Sequence, residues 1–229
     1  MTCSALTRLL MADLYKLPVR GHIVAFYVFI TTQDPLLRIT ALARYFEQMP
    51  DSHLDRLYPI FVVEEKPGGG PGGGTWPAST DFARMVGGGA RARRTHVPDA
   101  DLQRLIVGPR SGLIAIPRER WERPLDHLPT TVFHEVGHCV DCACGGLVPS
   151  GATDADFAGM NTTSCGAGSP RTRQAVEAYA RLLYHPSRIF HDLPPGQTPR
   201  AANERLIAVL RRSPAFAAVP ASWPAPLPH

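Results

Sequence analysis

The chain has no apolar run near the ~20 residues that a helical membrane span needs. Its best candidate, "IVAFYVFI" at residues 23–30, has the length of a strand. No small-residue cleavage site follows an apolar core at the N-terminus, so a secretory signal is not expected. Charge is sparse, at 19% of residues against 44% hydrophobic, which is the balance of a globular chain with a core. Basic residues outnumber acidic ones only slightly, for a net charge of +4. The densest basic run, Arg91-Ala-Arg93-Arg94, has no aromatic interleaving. It reads as a solvated loop, and no nucleic-acid partner is expected. After "KPGGGPGGGTWP" (residues 66–77) no Lys-Ser or Lys-Thr follows the last glycine, so a phosphate-binding loop gives way to a flexible connector. Five cysteines cannot all pair. They suit a chain made in a reducing cytoplasm, with leaderless secretion left open.

What is present reads along the chain as follows. Residues 3–17 carry leucines at helical spacing and predict a helix ended by Pro18. "HIVAFYVFITT" predicts a buried strand, "DPLLRITALARYFEQM" a helix and "LYPIFVVEE" a second strand. Residues 1–66 thus form the N-terminal helix and strand part, and 67–97 a mobile Gly/Pro-rich loop. Residues 98–192 form the part that carries the chemistry. It opens on a short helix in "VPDADLQRLIVG" and the apolar strand "GLIAIP". A helix over "LDHLPTTVFHEVGHCVDCAC" follows, then a loop-rich stretch. Next comes a strong helix in "SPRTRQAVEAYARLLYH", with Ser169 as cap and Pro170 in its first turn. Residues 193–215 predict a C-terminal helix. The proline-rich stretch 216–229 is expected to be a disordered tail.

The chemistry lies in "HEVGH". On a helix, His134 and His138 share one face a turn apart, and each can offer a nitrogen to one ion. Zinc accepts imidazole and keeps a position for water in catalytic sites. Glu135 stands beside the first histidine, where a carboxylate can take a proton from that water. Gly137 keeps the helix surface low between the two. Asp141, one turn beyond His138, reads either as an orienting acceptor for a ligand histidine or as a solvated charge at the helix end. A third protein ligand is required. Among the acids downstream of His138, only Glu177 lies beside a core stripe (Ala175, Val176, Tyr179, Leu182, Leu183). It reads equally as that ligand or as a surface glutamate paired with Arg173 or Arg181 at i±4. His53 and the other histidines lack partner spacing and read as structural. Cys139, Cys142, Cys144 and Cys165 read first as small buried or loop thiols. A disulfide within the set comes second and a structural metal site third.

"HEVGHCVD" followed by "EAYARLLYH" resembles the catalytic domain of anthrax toxin lethal factor and the related bacterial Pro-Pro endopeptidases. The likeness spans residues 111–190, and "TTSCG" (162–166) is similar to a "TSYG"-like segment of that family. The resemblance implies one Zn2+ held by His134, His138 and Glu177, with Glu135 as general base and "GLIAIP" as the strand along the cleft. A substrate would add to the edge of that strand. Two positions depart from the family. Cys165 stands where the family has an oxyanion tyrosine, leaving Tyr179 and Tyr184 as substitutes, and Arg181 stands where it has a second glutamate.

The expected fold is α+β and zincin-like: a small mixed sheet packed against the HExxH helix, with a glutamate-bearing helix after it. The expected function is zinc-dependent hydrolysis of peptide bonds in a protein or peptide, in a toxin- or effector-like role. A non-catalytic zinc-binding module and a metal-free interaction protein stand as alternatives.

Overall fold

The computed structural model of the chain describes residues 13–65, 72–77, 112–157, 169–184, 196 and 198–223. In chain order the elements are strand β1 (Asp13–Val19), β2 (His22–Val28), helix α1 (Pro35–Phe46), α2 (Asp51–Leu54), β3 (Ile60–Val63), β4 (Gly74–Pro77) and β5 (Gly112–Pro117). Helices α3 (Arg118–Trp121), α4 (Leu128–Ala143), α5 (Pro170–Tyr184) and α6 (Pro199–Leu210) follow, with single 3-10 turns at Asp154–Phe157 and Pro214–Phe216. This is an α+β fold with one five-stranded mixed sheet. Among the described residues no helix is long and apolar enough to cross a membrane. The chain divides into two compact units: Met1–Ala43 with Tyr58–Val132, and Arg44–Leu57 with Phe133–His229.

The first unit holds the sheet, ordered β1-β2-β3-β5-β4. The two outer pairings, β1–β2 and β4–β5, are antiparallel, and the inner β2–β3 and β3–β5 pairings are parallel. Every residue of β3 and β5 is buried, as expected of central strands covered on both faces. On β2 the buried residues alternate as Val24, Phe26 and Val28. Phe26 meets the fully buried Trp121 at 6.3 Å between ring centroids. Arg38 of α1 ties down the stretch after β5: its Nη1 donates to the carbonyls of Trp121 (2.7 Å) and Arg123 (2.8 Å).

Two expectations are corrected here. Residues 13–17 are strand and not helix, and Pro18 lies inside β1; residues 3–12 of that expected helix fall outside the described residues. In β1 the residues Tyr15, Leu17 and Val19 turn inward while Leu14, Lys16 and Pro18 are exposed, a period of two. Leucines at helical spacing lost to a hairpin. Arg20 (φ 46°) and Gly21 (φ 86°) form a two-residue turn with both φ positive, the geometry that suits strand twist. Proline is tolerated in β1 because it is an edge strand. Second, the segment read as a connector over 67–97 contributes β4, which pairs along β5 from Gly74↔Ala115 to Pro77↔Gly112. "GLIAIP" is therefore an interior strand, and a peptide joining the sheet on that side meets β4. The helix expected in "VPDADLQRLIVG" lies outside the described residues.

The second unit is helical. Ser169 Oγ accepts from the Thr172 backbone N–H (3.2 Å), as its sequence context suggests, and Thr198 Oγ1 caps α6 by accepting from that of Ala201 (3.2 Å). Phe133 packs on Phe46 at 4.8 Å between centroids. The tail expected to be disordered from 216 instead folds back as far as Trp223, and Phe216 and Trp223 are buried. Residues 224–229 lie outside the described residues.

Candidate metal centre

Helix α4 carries Phe133, Glu135, Val136, Cys139 and Val140 as buried residues, and His134 and His138 at its half-buried margin. Helix α5 buries Ala175, Val176, Ala178 and Tyr179. The two helices meet at Gly137. A Cβ there would lie 2.9 Å from the Val176 carbonyl oxygen and 3.0 Å from Val176 Cγ1. Only glycine allows so close an approach, and it brings Glu177, the residue after Val176, against the histidine face.

The two histidine rings stand 4.9 Å apart, edge to face. His134 Nδ1–H donates to Glu177 Oε2 at 3.0 Å, across 43 residues of sequence. Arg181 Nε donates to the other oxygen, Oε1, at 2.6 Å. Glu177 is thus held between His134 and Arg181: the i+4 pairing with Arg181 is present, but on a mostly buried side chain and not on a surface glutamate. Its side chain is only 12% exposed, as is that of His134.

The electrostatics follow from that packing. Burial favours a neutral His134, but the Glu177 hydrogen bond and the charges of Glu135 and Glu177 outweigh it and hold the imidazole above its ordinary range. Burial likewise opposes the Glu177 charge, and His134 with Arg181 overcomes it, keeping the carboxyl below its usual range. His138 is pushed down to about 4, by burial first and then by the neighbouring His134 charge. The ring is therefore neutral at pH 7, with a lone pair on one nitrogen.

The other expected residues fall out differently. Asp141 accepts from the Leu147 backbone N–H at 2.7 Å, so it closes the turn after α4; no bond from it to a histidine is seen among the described residues. Tyr179 is fully buried, and its hydroxyl lies 2.9 Å from His53 Nδ1. His53 Nε2 lies 2.8 Å from the Ala215 carbonyl, which can only accept. The neutral ring then carries its proton on Nε2, Nδ1 accepts, and Tyr179 donates to it. That hydroxyl is committed to the core and is no substitute oxyanion donor. No local signal announced the partnership, since 126 residues separate the pair. Tyr184 is buried at the end of α5. Cys165 lies outside the described residues. Cys139, Cys142 and Cys144 form no disulfide among the described residues.

The donor chemistry suits zinc: two imidazoles and a carboxylate, adjoining and mostly buried. The geometry is closed, however. Among the described residues no three His, Cys, Asp or Glu side chains converge as a ligand set. His134 and Glu177 are bonded to each other, and Glu177 also to Arg181. In comparisons with known proteins the chain matches no family model, no curated protein and no solved structure.

Proposed function

We propose that the protein is a zinc-dependent endopeptidase acting on a protein or peptide, with a toxin- or effector-like role as its resemblance implies. The observation that carries this reading is the meeting of "HEVGH" with Glu177, at 3.0 Å from His134. The close approach of the two helices at Gly137 sets Glu177 beside His134, and His138 one turn on, which supports this reading.

His134, His138 and Glu177 would hold the ion. When bound, zinc supplies a Lewis acid for the scissile carbonyl and lowers the pKa of water. The remaining work belongs to the chain. Glu135 is 5% exposed, so its carboxylate is poorly hydrated and suited to taking a proton from water and passing it to the leaving amine. Gly137 sets the spacing between the helices. Arg181 and His134 each hold one oxygen of the Glu177 carboxylate.

Elemental analysis and peptide cleavage test this directly. The wild type is expected to carry one zinc per chain. Glu177→Ala is expected to lose more affinity than the ~10–100-fold typical when only an outer partner of a ligand is removed. Glu135→Gln is expected to keep the metal and lose cleavage. Equal zinc in wild type and Glu135→Gln with cleavage in neither favours the non-catalytic zinc module, which the commitment of Tyr179 to His53 supports; zinc unchanged in Glu177→Ala would move the site to the cysteines. A metal-free wild type leaves the interaction protein.

Acidification provides a second test. Zinc must displace a proton from His134. Glu177 and Glu135 hold that proton above the ordinary value of 6.5. Zinc affinity is therefore expected to begin falling while the pH is still above 6.5, and to fall further below it. His138, pushed down to about 4, adds no proton competition until the solution is far more acidic. Competition with a chromophoric chelator from pH 8 to pH 5 reads this out. An affinity flat over that range would rule out a histidine-based site.

A further inference from the structure

We infer that Arg181 is a built-in competitor for Glu177, which weakens the site for metal and makes its occupancy depend on the zinc supply. The inference rests on the zinc reading above and concerns how tightly that site is filled.

The contacts are specific. Arg181 Nε sits 2.6 Å from Glu177 Oε1, on the same helix at i+4, and the two side chains are 21% and 12% exposed. The opposite oxygen, Oε2, accepts from His134 Nδ1. Neither oxygen of the one available carboxylate is therefore without a cationic or N–H partner. The Glu177–Arg181 pair is the more persistent of the two contacts, since a guanidinium cannot give up its proton and an imidazole can.

Two effects oppose each other when a dication arrives. An outer-shell donor that orients a ligand carboxylate typically strengthens metal binding, by ~10–100-fold. Here the donor carries a full positive charge on the same carboxylate that would hold a doubly charged ion. In a pocket this poorly hydrated the repulsion between them is only weakly screened. The orienting benefit is already supplied in part by His134 and by the rigid helix, so the repulsion is the larger effect. Arg181 also draws electron density from the carboxylate and makes it a poorer donor.

The test is zinc affinity by chelator competition at fixed pH, on the full chain, for wild type, Arg181→Gln, Arg181→Lys and Glu177→Ala. Far-UV circular dichroism and the thermal midpoint without metal establish that each variant folds. Arg181→Gln keeps a hydrogen-bonding group and removes the charge, and it is expected to bind zinc at least about tenfold more tightly than wild type. Arg181→Lys keeps the charge and is expected to stay within about threefold of wild type. Zinc bound by wild type, with Arg181→Gln equal or weaker, overturns this inference alone. Tightening by Arg181→Lys as large as by Arg181→Gln also overturns it, because charge is then not the cause. No zinc in any folded variant overturns the zinc reading itself, and this inference with it; Glu177→Ala marks that baseline.

Discussion

Replacing Phe216 and Trp223 together by alanine is expected to unfold the helical unit at room temperature. The two rings close its core over Tyr179. Phe216 lies 6.1 Å and Trp223 6.2 Å from the Tyr179 ring centroid, and the two are 5.2 Å from each other. Phe216 also meets His53 edge to face at 5.2 Å. Polar contacts hold the same segment. Trp223 Nε1 donates to the Gln48 carbonyl at 2.6 Å, His53 donates to the Ala215 carbonyl, Arg211 donates to the Trp223 carbonyl, and the Ala215 N–H reaches the Gly146 carbonyl at 3.1 Å. Truncating a buried Phe or Trp costs about 3–5 kcal/mol. A whole domain has about 5–15 kcal/mol to lose. Neighbouring rings do not add simply, but two such losses approach or exceed the total. Either single variant should survive with a much lower urea midpoint, followed by far-UV circular dichroism. A chain ending at Ser213 that melts where the full chain does would show that the segment contributes nothing, as a disordered tail would.

Gly137→Ala is expected to lower the thermal midpoint and, with it, metal affinity. Helix propensity alone argues the reverse, since alanine in a helix interior is favoured over glycine by about 1 kcal/mol. The Val176 backbone decides the sign. The new methyl group would sit 2.9 Å from a carbonyl oxygen that is held in helix α5 and cannot turn aside. Overpacking of this kind costs about 1–3 kcal/mol, which offsets the propensity gain or exceeds it. Helix α5 must move away from α4, and Glu177 moves with it. Zinc affinity is then expected to fall by about tenfold or more, as when ligand orientation is lost. Adding Val176→Ala removes Cγ1 but leaves the carbonyl, so the double variant should recover only partly. A Gly137→Ala protein with a raised midpoint and unchanged zinc binding would show that the helix contact is not the constraint.

Much of this architecture is legible in the amino-acid order. The strands β2, β3 and β5 and the helices α1, α4, α5 and α6 follow from local periodicity, and the Ser169 cap from its own short context. The shared face of His134 and His138, and the value of a glycine between them, follow from helix geometry alone. What escaped depended on partners remote in sequence. The apolar spacing of residues 13–17 permits either helix or strand until β2 offers a ladder. "GTWP" has no strand pattern of its own and is a strand because β5 has an open edge. The tail is ordered because Tyr179 and His53 form a surface that Phe216 and Trp223 cover. Glu177 had Arg181 within reach on its own helix, but its contact with His134 depends on the approach of α4 to α5. Periodicity records the geometry of one element, which costs little entropy to form. Contacts across tens of residues must recover the entropy of closing long loops, and they form only where the rest of the fold has already brought both sides together.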